Sequence, residues 1–167
     1  AAILAPEVTP DDPEFDLYVK ELVREMTVKA GQKCTAIRRA IVPRAHLDAL
    51  VERLQARLAK VVVGDPAVEG VKMGPLAAHA QVADVAERVA LLRRSAEVMS
   101  DGGSDFAPVG EGTAEGAFFP PTLLLERAPL GDAPAHDVEA FGPVSTLMPY
   151  DGVDEALALA ARGRGSL

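Results

Sequence analysis

The residue with the clearest capacity for chemistry is Cys34, the single cysteine of the chain, in the stretch Gly31-Gln32-Lys33-Cys34-Thr35-Ala36. A thiolate is a strong nucleophile at neutral pH and a workable leaving group, which suits covalent attack on a carbonyl carbon. The competing interpretation is an inert, packed residue, because free cysteine is among the residue types most often buried.

Several local features favour the nucleophile. Cys34 follows a predicted helix end, where the backbone is partly exposed, and the small residues Gly31 and Thr35 would let a substrate approach. Nearby cations favour the thiolate over the thiol, and those nearest to Cys34 in the sequence are Lys29, Lys33, Arg38 and Arg39. These residues alone leave the nucleophile and the packed cysteine open as alternatives.

The composition is that of an ordinary soluble globular chain. Of its 167 residues, 49% are apolar and 25% are charged, which is enough apolar material for one compact domain. The net charge is −8, from 17 basic and 25 acidic residues. This acidic balance argues against nucleic acid or an anionic membrane as a partner, because both select basic surfaces.

The localisation that the sequence predicts is cytoplasmic. A single cysteine rules out an internal disulfide framework and fits a reducing compartment. No apolar run approaches the roughly 20 residues that a membrane-spanning helix needs, and the start lacks the basic head of a signal peptide. Both ends interrupt apolar or helical patterns, so we expect the sequence to be a piece of a larger protein.

The elements that must position Cys34 alternate between strands and helices. Apolar residues at helical spacing predict a helix that starts at Pro13, behind an Asp12 N-cap, and stops at Gly31. Further helices are predicted at 44–60, 78–95 and 154–162, and strands at 1–5, 37–42, 96–99, 122–125 and 144–147. This alternation predicts an α/β fold of three layers, with helices flanking a largely parallel sheet.

Four segments of the sequence resemble the aldehyde dehydrogenase superfamily. The cysteine stretch resembles the cysteine motif of that family, and Glu139-Ala140-Phe141-Gly142-Pro143-Val144 resembles its second signature. Two weaker landmarks lie between them in the order of the family, Met73-Gly74-Pro75-Leu76 and Gly116-Ala117-Phe118-Phe119-Pro120-Pro121-Thr122. The run 24–29 is more narrowly similar to the aldehyde dehydrogenase half of the bifunctional ring-opening proteins of phenylacetate degradation.

The resemblance implies roles for three residues. Cys34 would attack an aldehyde carbonyl to form a thiohemiacetal, and its backbone N–H would stabilise the oxyanion. Hydride would pass to NAD or NADP, and water would hydrolyse the resulting thioester. Glu139 would bind hydroxyls of the nicotinamide ribose, and Phe141 would pack near the nicotinamide ring. The alternative for Glu139 is a solvated surface acid, and for Phe141 it is plain core packing.

The histidines give no sign of a metal site. They are His46, His79 and His136, which are widely scattered without metal-ligand spacing. Surface or helix-face positions are predicted for them, and no metal cofactor is implied.

The protein that the resemblance implies is an oxidoreductase larger than this chain. We expect residues 1–167 to be the cysteine-bearing segment of its catalytic domain. The Rossmann cofactor domain, the general-base glutamate and the oxyanion-hole asparagine of the family would lie outside the chain. The substrate would be an aldehyde, in the phenylacetate case a CoA-linked semialdehyde, and the parent enzyme a homo-oligomer. Without the cofactor domain and the base, the isolated chain is predicted to have little or no activity.

The sequence leaves two other functions open. A CoA-acylating aldehyde dehydrogenase would use the same cysteine but pass the acyl group to a thiol instead of water. A folded, non-catalytic module would serve only subunit association, through exposed apolar surface.

Overall fold

The computed structural model describes residues 1–165, in which the strands and helices follow one another in the predicted order. The α-helices are α1 (Pro13–Thr27), α2 (Leu47–Leu58), α3 (Ala80–Leu92) and α4 (Val153–Ala161). The strands are β1 (Ala2–Ile3), β2 (Arg39–Pro43), β3 (Glu97–Ser100), β4 (Thr122–Leu125) and β5 (Val144–Tyr150). No helix within residues 1–165 has the length and apolar character needed to cross a lipid bilayer.

A single sheet holds these five strands in the order β1-β2-β5-β4-β3. Strands β1, β2, β5 and β4 run parallel to one another, whereas β3 is antiparallel to its neighbour β4. Strands β2 and β5 lie side by side although they are far apart in the chain, with Arg39 opposite Thr146. The prediction of an α/β fold on a largely parallel sheet is therefore confirmed.

Two apolar cores, one on each face of the sheet, give the three predicted layers. On one face α1 and α2 pack against the strands through fully buried side chains such as Phe15, Leu22 and Leu50. On the other face α3 and α4 pack through Val85 and Leu159. The strands supply both cores because successive side chains of a strand point to opposite faces of the sheet.

Helix α1 ends earlier than predicted. Its regular hydrogen bonding stops at Thr27, and a tight 3₁₀ segment, Val28–Gly31, follows. Lys29, Ala30 and Gly31 have left-handed backbone, with φ of 54°, 50° and 71°. Left-handed residues cannot continue a right-handed helix. Gly31, predicted to stop α1, therefore closes the 3₁₀ segment that leads into the cysteine stretch.

Other boundaries differ from the prediction by a few residues. The predicted strand 37–42 is found at Arg39–Pro43, and the predicted strand 144–147 continues to Tyr150. The extension of β5 follows from its pairing with β2, which continues through Tyr150. The predicted helix 44–60 begins with a 3₁₀ turn, Arg44–His46, before α2.

Candidate functional site

Cys34 is exposed to solvent on a turn between α1 and β2. The backbone N–H of Ala36 closes this turn by donating to the carbonyl oxygen of Lys33, across 3.1 Å. Within residues 1–165 the backbone N–H of Cys34 donates to no protein acceptor. The alternative of a packed cysteine is therefore wrong, and both the thiol and the adjacent N–H are open to a ligand.

The order of the sheet brings the cysteine turn (residues 32–36) next to the signature loop (residues 139–143). Arg39 of β2 pairs with Thr146 of β5, and the two strands run in the same direction. Cys34 lies five residues before Arg39, and Phe141 lies five residues before Thr146. The turn and the loop therefore meet at the amino ends of adjacent parallel strands, although they lie far apart in the sequence.

Two contacts join the cysteine turn to the signature loop. The backbone of Gly31 packs directly on the backbone of Gly142, which leaves no room for a side chain on Gly31. The side chain of Gln32 donates a hydrogen bond from Nε2 to the carbonyl oxygen of Phe141, across 3.2 Å. The exposed thiol and the signature loop are thereby fastened to each other at the residues just before Cys34.

The two weaker landmarks of the sequence connect to the same place. Oε1 of Gln32 accepts a hydrogen bond of 2.8 Å from the backbone N–H of Ala77, directly after the landmark 73–76. Within that landmark the N–H of Leu76 donates to the carbonyl oxygen of Ala117, in the landmark 116–122, across 2.8 Å. A continuous set of hydrogen bonds thus connects all four segments that carry the family resemblance.

Glu139 and Phe141 are both exposed on the signature loop. Phe141 is 44% exposed, so core packing, the alternative for this residue, is wrong. Within residues 1–165 no hydrogen bond or ion pair engages the Glu139 carboxylate, which leaves it available to accept hydroxyl groups from a ligand. The same exposure also suits a solvated surface acid, so exposure by itself does not separate the two interpretations of Glu139.

The positive charge that faces Cys34 is smaller than the sequence suggests. Lys33 forms an ion pair with Glu25, with Nζ and Oε1 2.7 Å apart. The guanidinium of Arg39 is buried and donates a hydrogen bond of 2.9 Å to the carbonyl oxygen of Leu159 in α4. Arg38 donates a hydrogen bond of 3.3 Å from Nη1 to the carbonyl oxygen of Val138. Three of the four flanking cations are thus engaged by other partners, because closeness in sequence does not decide where a long side chain points.

His136 is buried, and the surface position predicted for it is wrong. Its Nδ1 lies 3.2 Å from Nη1 of Arg39, and its Nε2 lies 2.7 Å from the carbonyl oxygen of Pro129. Because a guanidinium only donates and a carbonyl only accepts, Nδ1 is the acceptor and Nε2–H the donor of a neutral imidazole. Burial lowers the pKa of this imidazole, and the charges of Arg162 and Arg39 lower it further. The hydrogen bond to Pro129 acts in the opposite direction and raises the pKa.

The other two histidines occupy the kinds of position that the sequence predicts. His79 is exposed at the start of α3, and His46 lies half-buried in the 3₁₀ turn before α2 with its ring edge-on to that of Phe15. No group of three or more His, Cys, Asp or Glu side chains within residues 1–165 could hold a metal ion.

Sequence reasoning assigned no role to Gln32, the residue that joins three of the four segments. Its side chain is half-buried and makes hydrogen bonds to residues in two distant loops and to Gln81. The feature of the sequence that could have pointed to Gln32 is its position inside the cysteine motif. An amide side chain has no nucleophilic or acid–base chemistry of its own. A structural task was therefore the reasonable inference from the sequence.

Comparison of the sequence with known protein families identifies the class of enzyme to which this fold and these two loops belong. The model of the aldehyde dehydrogenase family matches residues 5–165, and the chain belongs to that family. The resemblance drawn from the four segments is therefore confirmed.

Individual relatives extend this result. The 3,4-dehydroadipyl-CoA semialdehyde dehydrogenase of Aromatoleum evansii is 50% identical over 167 residues, which are 100% of this chain and 32% of the relative. Lactaldehyde dehydrogenase of Escherichia coli strain K12 is 31% identical over 157 residues, 93% of this chain and 31% of that protein. The chain therefore spans about a third of the length of the relatives it matches.

Solved structures agree on the fold. Betaine aldehyde dehydrogenase of Staphylococcus aureus in complex with NAD+ matches 95% of this chain and 30% of its own, with a TM-score of 0.79 and 24% identity. An NADP dependent enzyme of E. coli matches 95% of this chain and 30% of its own, with a TM-score of 0.74 and 29% identity. The arrangement of strands and helices in residues 1–165 is thus that of a segment of these larger chains.

Proposed function

We propose that this chain supplies the nucleophile and part of the cofactor site of an NAD(P)-dependent aldehyde dehydrogenase. The observation that carries this proposal is the joined surface, in which the exposed Cys34 thiol lies beside the loop that exposes Glu139 and Phe141. Removal of a hydride from a bound aldehyde requires the nucleophile and the hydride acceptor to be held next to each other. The rest of the cofactor domain, the general base and the second oxyanion donor belong to other parts of the full-length enzyme.

The residues of this chain account for the covalent part of the reaction. The Cys34 thiolate attacks the aldehyde carbon, which forms a C–S bond and moves the C=O electron pair onto oxygen. The backbone N–H of Cys34 donates a hydrogen bond to that oxygen as its charge develops. Loss of a hydride to the bound nicotinamide cofactor, with collapse of the oxyanion to C=O, would leave a thioester on Cys34. Water then breaks the C–S bond, releasing the carboxylic acid and restoring the thiol.

The signature loop carries groups that fit a nicotinamide dinucleotide, which supplies the hydride acceptor when bound. A carboxylate accepts hydrogen bonds from ribose hydroxyls, and the Glu139 carboxylate is exposed and unengaged within residues 1–165. An exposed aromatic face packs well on a flat ring, and Phe141 presents one. Glu139 and Phe141 are therefore the residues of this chain that would hold the cofactor. Whether NAD+ or NADP+ is preferred depends on residues that lie elsewhere in the enzyme.

We further propose that the substrate is a CoA-linked semialdehyde formed in the breakdown of phenylacetate. The CoA-linked semialdehyde is supported by the 50% identity to 3,4-dehydroadipyl-CoA semialdehyde dehydrogenase, which extends over the whole chain. The phenylacetate origin is supported by the similarity of residues 24–29 to the ring-opening proteins. We also propose a cytoplasmic location, because a single exposed cysteine fits a reducing compartment, which keeps its thiol reduced.

The test is oxidation of a CoA-linked semialdehyde by the full-length enzyme, followed by the absorbance of the reduced cofactor. The same semialdehyde without CoA serves as the comparison and should give a lower kcat/KM. Replacing Cys34 with Ser should lower kcat by about a thousandfold or more, because a neutral hydroxyl is a far weaker nucleophile. Since Cys34 is exposed, this variant should keep the urea midpoint of the wild type. Absence of cofactor reduction with every aldehyde would reject the proposal.

The same assay separates hydrolysis from acyl transfer to a thiol. We expect free acid as the product whether or not free CoA is added, because water is the acceptor in the proposed reaction. Formation of an acyl-CoA product, with a rate that depends on added CoA, would identify a CoA-acylating enzyme instead.

We also propose that the enzyme is a homo-oligomer. Helices α1 and α4 expose large apolar side chains, with Leu17 54%, Val153 55% and Leu157 58% exposed. Val153 and Leu157 are four residues apart and lie on one face of α4. Light scattering on the full-length protein tests this, and a monomer at micromolar concentration would reject it. If the full-length protein associated but oxidised no aldehyde, the non-catalytic association module would replace the enzyme as the better description.

A further inference from the structure

The side chain of Gln32 makes three hydrogen bonds that converge from separate parts of the fold. Its Oε1 accepts from the backbone N–H of Ala77 at 2.8 Å. Its Nε2 donates to the carbonyl oxygen of Phe141 at 3.2 Å and to Oε1 of Gln81, on α3, at 3.0 Å. The orientation of the amide is determined by its partners, since a backbone N–H only donates and a carbonyl oxygen only accepts.

The backbone of Phe141 needs an external restraint. Its φ is 51°, in the left-handed region that residues with a Cβ rarely occupy, and such a conformation persists only where the surroundings hold it. Burial of the side chain does not supply the restraint, because Phe141 is 44% exposed. The hydrogen bond from Gln32 acts on the carbonyl group of Phe141 itself, next to the strained torsion.

We propose that Gln32 is a positioning residue that holds the signature loop against the cysteine turn. By fixing the Phe141 backbone, it sets the distance between the cofactor-facing ring and the thiol of Cys34, which lies two residues after Gln32. Gln32 acts through Phe141 and takes no part in bond making or breaking. This inference rests on the proposed function, because that function supplies the cofactor against which the Phe141 ring would pack.

Two variants of Gln32 test the proposal in the full-length enzyme. Gln32→Glu keeps the acceptor for the N–H of Ala77 but has no hydrogen atom to donate to Phe141. Methionine is similar in length to glutamine but has no charge and makes no comparable hydrogen bonds. Gln32→Met therefore replaces Gln32→Glu as the test variant if the glutamate carboxylate prevents folding. Gln81→Ala is the matched control, because it removes a neighbouring partner of Gln32 and leaves the bond to Phe141 in place.

The first readout needs neither substrate nor cofactor. Hydrogen–deuterium exchange at residues 139–143 should become faster in Gln32→Glu and Gln32→Met but stay at the wild-type rate in Gln81→Ala. Peptides from α2, on the opposite face of the sheet from α3, should exchange at unchanged rates. Equal acceleration throughout the chain would show a general structural role and overturn the proposal.

The second readout is the affinity for the cofactor. Titration calorimetry should show the Kd for NAD+ or NADP+ raised about fivefold to tenfold in both Gln32 variants, the effect of losing one hydrogen bond. The KM for the cofactor should rise with it, while the KM for the aldehyde changes by less than about twofold. Wild-type exchange at residues 139–143 together with wild-type cofactor affinity in Gln32→Glu would overturn the proposal. A wild-type enzyme that oxidises no aldehyde would reject the function instead, and the exchange experiment would still decide the role of Gln32.

Discussion

A Cβ atom placed on Gly31 would lie 2.2 Å from the carbonyl oxygen of Gly142 and 2.6 Å from its carbonyl carbon. The obstruction is backbone, so no side-chain rotation can relieve it. The closest approach between the cysteine turn and the signature loop therefore depends on a residue without a side chain.

Gly31→Ala is expected to destabilise the protein by about 3 kcal/mol, from left-handed backbone strain together with the clash. Gly70→Ala is the matched control, since Gly70 also has a positive φ, 89°, but has nothing within 4 Å of the added Cβ. Gly70→Ala should lower the free energy of unfolding by only about 1 kcal/mol, which is the cost of the left-handed backbone without a clash. Urea unfolding measures both changes, and equal losses would contradict the close approach of the two loops.

Cys34 should react with a thiol reagent in the native protein, because it is exposed and is the only cysteine of the chain. We expect one thiol to be labelled without denaturant, and none in Cys34→Ser. If the turn activates the nucleophile, the rate at neutral pH should exceed that of a free thiol with a pKa of about 8.5. A rate no faster than the free thiol would count against activation by residues 1–167.

Buried His136 should make stability depend on pH. Its pKa is lowered by burial and by the charges of Arg162 and Arg39, although the hydrogen bond to Pro129 and the charge of Asp137 oppose this. The unfolded chain, with an ordinary histidine pKa near 6.5, therefore binds the proton more tightly than the folded chain.

The free energy of unfolding should keep the full contribution of His136 above about pH 6.5 and lose it as the pH falls towards the lower folded pKa. The loss from one group is at most about 1.4 kcal/mol per pH unit. His136→Gln should flatten this acid limb in urea unfolding between pH 7 and pH 5. His79→Gln, at an exposed position, should leave the limb unchanged, and an identical slope in the His136 variant would contradict the argument.

The isolated 167-residue chain is expected to show little or no NAD(P)-dependent turnover. It carries the proposed nucleophile and the two proposed cofactor contacts, but the proposed base and cofactor domain belong to the remaining length of the enzyme. The measurement is cofactor reduction by chain that circular dichroism shows to be folded, beside an equal amount of full-length enzyme. Measurable turnover by the chain alone would show that residues 1–167 contain a complete site.

Much of the fold could be predicted from the sequence because its information is local. Residues such as Phe15 and Leu22 repeat at helical spacing, and both are fully buried on α1. The strand 122–125 is found with the predicted bounds, since a short apolar run between prolines and charged residues admits few other structures. The exposed cysteine and the signature loop could also be located from the sequence, because each lies in a compact motif.

The partners of individual side chains could not be predicted in this way. Lys33 pairs with Glu25, and His136 is buried against Arg39, because the 3₁₀ segment and the order of the strands bring them together. Neither relationship leaves a periodic pattern in the sequence.

The sequence by itself determined the elements, the α/β class and the motif that carries Cys34, because these depend on spacing, residue type and short-range propensity. The tertiary structure alone decided that the cysteine turn and the signature loop form one surface. That result depends on β2 and β5 pairing in parallel with Arg39 opposite Thr146, which aligns the residues before each strand. Gln32 then joins the two loops through its hydrogen bond to the carbonyl oxygen of Phe141. These two residues are far apart in the sequence, and the order of the strands in the sheet brings them together.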